Sequence, residues 1–96
     1  MNFQVILTEE AQAQLEQLAA SDVRKHLKIL KTLGLLATNL RSPSLQTHEF
    51  HTLSGPNGEK VFEAYVENNT PSAFRVFWYY GPGKAVITVF LISPHP

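Results

Sequence analysis

The stretch Phe74-Arg75-Val76-Phe77-Trp78-Tyr79-Tyr80, followed by Gly81-Pro82-Gly83-Lys84 and then Ala85-Val86-Ile87-Thr88-Val89-Phe90-Leu91-Ile92-Ser93, decides the fold. Two runs rich in β-branched and aromatic residues flank a Gly-Pro-Gly turn, which predicts a β-hairpin. Pro94-His95-Pro96 follows the second strand. Alternation puts Arg75, Phe77 and Tyr79 on one face and Phe74, Val76, Trp78 and Tyr80 on the other. In the second strand Val86, Thr88, Phe90 and Ile92 share one face, and Ile87, Val89 and Leu91 share the other. Both faces are apolar, yet only one can meet a helical layer. The uncovered face is expected to seat a partner or a second copy of the chain, or to be covered by the chain termini.

Working outward, Lys60 to Glu67 predicts a strand with Val61, Glu63 and Tyr65 opposite Phe62, Ala64 and Val66. Asn68 to Ser72 is a turn by composition. Thr47 to Leu53 predicts another strand, joined to it by the turn Ser54-Gly-Pro-Asn-Gly. At the start of the chain Phe3, Val5 and Leu7 alternate with Asn2, Gln4 and Ile6, a short first strand. Thr8 is an N-cap for a helix ending near Ala20, with Glu9 and Glu10 at its positive end. Ser21 and Asp22 cap a second helix, whose apolar stripe is read as Val23, Leu27, Leu30, Leu33 and Ala37, extended by Leu36 and Leu40. Gly34 interrupts it at about 1 kcal/mol against alanine. The helix is expected to run through to Asn39, the alternative being a break at Gly34. Arg41-Ser-Pro-Ser is a loop. The fold class is therefore α+β, in the order β-α-α-β-β-β-β, with a two-helix hairpin on one face of an antiparallel sheet.

With 96 residues the chain is expected to form one domain, residues 1–96. It has no cysteine, which excludes disulfides and cysteine-based zinc sites and fits a reducing cytoplasm. No signal peptide or membrane-spanning run is expected. The net charge is zero, which argues against strong non-specific binding to nucleic acid. The charges are segregated: Glu9, Glu10, Glu16 and Asp22 precede Arg24, Lys25, Lys28, Lys31 and Arg41. This reads as two solvated helix faces that attract each other, or as a basic stripe for phosphates or an acidic partner.

Three side chains stand out chemically. Arg75 on the open sheet face, with Tyr79 beside it, suits a phosphate, because a guanidinium binds oxygens in pairs and aromatic rings stack on bases. A salt bridge to Glu63 or Glu67 would explain it equally. His95, held between two prolines, can serve as a general acid or base, or can be a tail residue. His48 and His51 are three apart in a strand, hence on opposite faces, so no metal site is expected. No cofactor is expected either.

The element order, Leu53-Ser54-Gly55 leading into a strand, Phe74-Arg75-Val76-Phe77-Trp78, and the ending Ile92-Ser93-Pro94-His95-Pro96 together resemble the RelE/ParE toxin superfamily of type II toxin–antitoxin systems. The resemblance implies a ribosome-dependent endoribonuclease that cuts messenger RNA without a metal, the RNA 2′-hydroxyl attacking the adjacent phosphate. It implies His95 and His51 as proton-transfer residues and Arg75 as the phosphate cation. Tyr65 falls where some members carry a strand histidine, Lys60 is a candidate cation near the turn, and Tyr79 is a candidate substrate contact. A cognate antitoxin, the ribosome and messenger RNA are the implied partners, with a homodimer possible. The chain departs from the RelE pattern in its zero net charge and in Ser54, where RelE has arginine. ParE-like members bind gyrase instead, so a non-catalytic binder of gyrase or antitoxin is the alternative.

Overall fold

The structure, a computed structural model, describes residues 2–95. Met1 and Pro96, the ends of the expected 1–96 span, lie outside the described residues. The chain runs β1 (Gln4–Leu7), α1 (Glu9–Ser21), α2 (Val23–Thr38), a 3₁₀ turn (Pro43–Leu45), β2 (His48–Ser54), β3 (Lys60–Tyr65), β4 (Phe74–Tyr80) and β5 (Val86–Pro94). Both helix starts follow from their caps. Thr8 Oγ1 accepts from the Ala11 N–H at 3.2 Å, and Asp22 Oδ1 accepts from the Lys25 N–H at 3.1 Å.

One sheet holds the strands in the order β1-β5-β4-β3-β2. β2 to β5 form the expected antiparallel meander. The sheet as a whole is mixed, because β1 lies parallel to β5, with Gln4 opposite Val86 and Leu7 opposite Val89. A parallel pair needs a long crossover, here everything between β1 and β5. No local feature of a four-residue strand announces its partner. The hairpin turn is built as its glycines require. Gly81 and Gly83 have φ of +103° and +91°, and the Thr88 hydroxyl donates to the Gly81 carbonyl at 2.6 Å.

The helices cover one face. Ala11, Leu15, Ile29 and Leu36 pack against Ala64, Val76, Trp78, Ile87, Val89 and Ile92. Two expectations about faces are corrected. In β5, Phe77 pairs with Leu91 while Trp78 pairs with Val89, so Phe90 is an extra residue in a bulge. The bulge resets the alternation. Ile92 joins Ile87 and Val89 in the core, and Phe90 packs on Tyr79 with ring centroids 5.8 Å apart. In α2 the buried residues are Ile29, Thr32 and Leu36. Val23, Leu27 and Leu30 are 62%, 59% and 42% exposed. The helix carries two apolar stripes, and the periodicity alone did not say which one meets the sheet.

The uncovered sheet face is also not a bare apolar surface. Val61, Phe77, Tyr79 and Thr88 are buried there. Phe50 of β2 packs edge-on against Phe77 at 5.2 Å, and the His95 ring packs on Phe50 at 5.8 Å. The exposed apolar patch lies on α2 instead.

The helix runs through Gly34 unbroken. A Cβ added there would meet nothing within 4 Å. Gly34→Ala is expected to raise stability by about 0.5–1 kcal/mol, through helix propensity and a less flexible unfolded chain. Urea denaturation followed by circular dichroism measures it.

Candidate functional site

Strand register builds a polar cluster on the face away from the helices. Tyr65 of β3 lies opposite Arg75 of β4, and Glu63 lies opposite Phe77. On the other side of β3, His48 of β2 lies opposite Glu63. The antiparallel ladder with β4 continues one residue past the Phe74–Pro94 pair, the His95 N–H donating to the Ala73 carbonyl at 3.1 Å. This brings the His95 ring over the same spot.

Glu63 is the hub. It is 1% exposed, and an ionised carboxylate so deep costs several kcal/mol unless it is paired. Its Oε1 meets His48 Nε2 at 2.7 Å, and its Oε2 meets His95 Nδ1 and lies 4.0 Å from Arg75 Nε. Buried Val61 and Phe77 form the apolar floor. The two imidazoles remain about half exposed, 48% for His48 and 49% for His95. Reactants in solvent can therefore reach them.

Arg75 is held rigidly. Its guanidinium carbon sits 3.7 Å from the centre of the Tyr65 ring, a cation–π contact. Its Nη1 donates to the Glu67 carbonyl at 2.8 Å and to the Phe74 carbonyl at 3.1 Å. Among the described residues its buried Nε–H has no hydrogen-bond acceptor. The expected alternatives for Arg75 thus divide. Glu63 forms the expected ion pair at 4.0 Å without a hydrogen bond, and Glu67 is engaged through its backbone carbonyl.

The Glu67 carboxylate ties this corner to α2. It accepts the Phe74 N–H at 3.1 Å and pairs with Lys25 at 3.4 Å and Lys28 at 3.3 Å. Burial works to raise its pKa and is the largest single influence. The Phe74 N–H and the two lysines outweigh burial together and hold the carboxyl below its ordinary value of 4.5. A carboxylate depressed in the folded state adds stability above its unfolded pKa and loses it as the pH falls through the folded value. The tie between α2 and the β3–β4 turn is therefore present at neutral pH and lost in acid.

Of the residues singled out in the sequence, His95, Arg75 and Tyr65 meet in this cluster. His51 does not. Its side chain is 81% exposed and lies 3.3 Å from Glu49, outside the cluster. Lys60 begins β3 opposite Ser54 at the far end of the strand, and Tyr79 packs on Phe90. Sequence reading missed Glu63 as the organiser and His48 as its partner. The available signal was a carboxylate in mid-strand on the Arg75 face, two residues before Tyr65. Beside the cluster, Tyr65 lines a cleft of about 260 Å³ together with Lys28, Lys31, Ser44 and Leu45. This is a basic recess next to the stacked arginine.

No family model matches the sequence. No curated protein matches it either. Solved structures do match the fold. The archaeal RelE in a RelE–RelB complex from Pyrococcus horikoshii superposes with a TM-score of 0.68 at 14% identity, covering 98% of this chain and 96% of that one. A YoeB/ParE toxin from Agrobacterium tumefaciens gives 0.66 at 13% identity, over 98% and 100% of the two chains. YoeB from Staphylococcus aureus, a dimer, gives 0.67 at 10% identity over 100% of both. The chain therefore carries the RelE/ParE-type fold along its whole described length.

Proposed function

We propose that this chain is the toxin of a toxin–antitoxin pair and acts as a ribosome-dependent, metal-independent endoribonuclease. The observation that carries the reading is the meeting of Arg75, Tyr65 and His95 on one face of a RelE/YoeB-type fold. Cleavage needs a proton taken from the RNA 2′-hydroxyl as the O2′–P bond forms. It needs a proton given to O5′ as the P–O5′ bond breaks, leaving a 2′,3′-cyclic phosphate and a 5′-hydroxyl. It also needs positive charge beside the phosphorane.

His95 suits the proton transfer. Its Nδ1 is engaged by Glu63, and among the described residues its Nε2 has no protein partner, which leaves that nitrogen free for proton transfer. Arg75 suits the phosphate. The planar guanidinium is already stacked and oriented beside the cluster and supplies a fixed positive charge there. Tyr65 and the lysine-lined cleft beside it suit the neighbouring nucleotide and its backbone. His51, Lys60 and Tyr79 have no part in this reading.

The partner half of the proposal rests on α2. Val23, Leu27 and Leu30 form an exposed apolar stripe flanked by Arg24 and Lys31, with no acid on the helix. The structural neighbour from Pyrococcus horikoshii is described in complex with RelB, and a cognate antitoxin is the partner proposed here. Leu27→Ser combined with Leu30→Ser is expected to leave folding stability within about 0.5 kcal/mol per site. Rescue of growth by a co-expressed antitoxin is expected to fail. The zero net charge favours the second reading, in which the fold acts by binding alone, on gyrase or on an antitoxin.

Controlled expression in a bacterial host, with growth recorded and RNA 5′ ends mapped, separates the readings. Growth arrest with new cuts in translated messages is expected, both lost in His95→Ala. Arrest without cuts would transfer the function to the binding reading.

A further inference from the structure

Hydrogen-bond accounting at the hub carries a consequence for charge. His48 Nδ1 lies 2.8 Å from the Gln46 carbonyl. A carbonyl oxygen only accepts, so Nδ1 carries a hydrogen. His48 Nε2 lies 2.7 Å from Glu63 Oε1. One proton must occupy that contact, and it belongs on the imidazole, ordinarily the more basic partner. The Arg75 guanidinium 4.0 Å from Glu63 Oε2 favours the ionised carboxylate, which only accepts. A neutral imidazole has one N–H and cannot serve both acceptors. The other oxygen of Glu63 faces His95 Nδ1. Ionised Glu63 then takes donors on both oxygens, with a charge-assisted contact to His48.

We infer that His48 is a resident imidazolium bound to ionised Glu63, and that Glu63 holds His95 in the tautomer with Nδ1–H and a bare Nε2. The cluster then contains two fixed cations, His48 and Arg75, around one carboxylate. It carries a net positive charge although the chain's formal charge, counted with neutral histidines, is zero. His48 is a positioning and electrostatic residue here, and Glu63 is a positioning residue acting through His95. The role in catalysis rests on the ribonuclease reading; the protonation arrangement does not.

Glu63→Gln distinguishes the two duties of Glu63. The glutamine amide has one acceptor and one donor group. Its oxygen still accepts from His95 Nδ1–H, so the His95 tautomer is preserved. Its NH₂ donates to His48 Nε2, which must then be bare, so His48 becomes neutral. The measurement is ¹⁵N-resolved NMR of the histidine rings in the full chain near neutral pH. Wild type is expected to show His48 protonated on both nitrogens and His95 on Nδ1 only. In Glu63→Gln, His48 is expected to lose the Nε2 proton while His95 is unchanged. A neutral His48 in wild type, or His95 protonated on Nε2 alone, overturns the inference whether or not RNA is cut.

His48→Gln supplies a second variant that does not disturb Glu63, since its amide NH₂ can still donate to Oε1. It is expected to keep His95 protonated on Nδ1. In a translating extract, His48→Gln, which removes the cluster's net positive charge, is expected to lower kcat by about 10²-fold with KM little changed, whereas Glu63→Gln, which removes one charge of each sign and keeps the His95 tautomer, is expected to lower it less. The double variant is expected to lose no more than His48→Gln alone. Cleavage by His48→Gln at the wild-type rate overturns the electrostatic role of His48. If wild type cuts no RNA while the NMR pattern is as expected, the ribonuclease reading fails and the protonation arrangement stands.

Discussion

Arg75→Ala is expected to lower RNA cleavage by about 10²–10³-fold, the usual loss when one preorganised donor is removed from a developing oxyanion. The loss should appear mainly in kcat, because the guanidinium matters most when charge accumulates on the phosphorane oxygens. Arg75→Lys sharpens the test. Lysine keeps the charge but has neither the planar fork nor the face that stacks 3.7 Å over Tyr65. It also cannot reproduce the paired bonds from Nη1 to the Glu67 and Phe74 carbonyls. Recovery of much of the activity by lysine would mean that the site needs only a point charge. Recovery of none would mean that orientation carries the effect, as the geometry implies. Single-turnover cleavage in a translating extract is the measurement. Circular dichroism of each variant excludes unfolding as the cause, because Arg75 also braces the β3–β4 turn.

The largest expected effect on stability belongs to Trp78. It is fully buried in the core and stacks on Phe62, ring centroids 5.8 Å apart at 29°. Trp78→Ala removes its packing and leaves a cavity, at a cost of about 3–5 kcal/mol. Domains of this size are stable by only about 5–15 kcal/mol, so the variant should sit near the edge of folding. The midpoint of thermal unfolding should fall by about 15–30 °C, at several degrees per kcal/mol. Trp78→Phe is the informative control. The indole Nε1 is buried with no hydrogen-bond partner among the described residues, and an unsatisfied buried donor is itself costly. Phenylalanine removes that donor while keeping much of the ring, so it should cost far less than alanine. A loss as large as the alanine variant's would show that the indole N–H finds a partner, such as a buried water. Far-ultraviolet circular dichroism must report unfolding, since Trp78 is the chain's one tryptophan.

Both predictions concern β4, and β4 shows where sequence reading is strong. A seven-residue strand next to a Gly-Pro-Gly turn has a period of two that nothing nearby disturbs. Trp78 went to the core and Arg75 to the other face as alternation requires. The helix caps at Thr8 and Asp22 and the passage of α2 through Gly34 were legible for the same reason. Each depends on interactions within a few residues, and those interactions are present in the sequence itself. The face assignment failed in α2, where two apolar stripes compete. Ile29 and Leu36 face the sheet while Leu27 and Leu30 do not, and only the position of the sheet chooses between them. It failed again past Phe90, because a bulge is a property of a strand pair and not of one strand.

The candidate site follows the same division. Arg75, Tyr65 and His95 could be picked out by residue type and place. Glu63 could not be recognised as their organiser, since its meaning comes from what surrounds it. His48, Glu63 and His95 are separated by long stretches of chain, and they meet because the β2–β3 register and the continued pairing of β5 with β4 as far as His95 put them there. The sequence by itself determined the elements, their caps and turns, and the alternation within each strand, since local sterics and hydrogen bonding set these. Only the tertiary structure decided the parallel docking of β1, the side of α2 left to solvent, and the burial of a carboxylate between two imidazoles. Those are outcomes of long-range packing, in which the free energy of burying one surface is set against that of burying another.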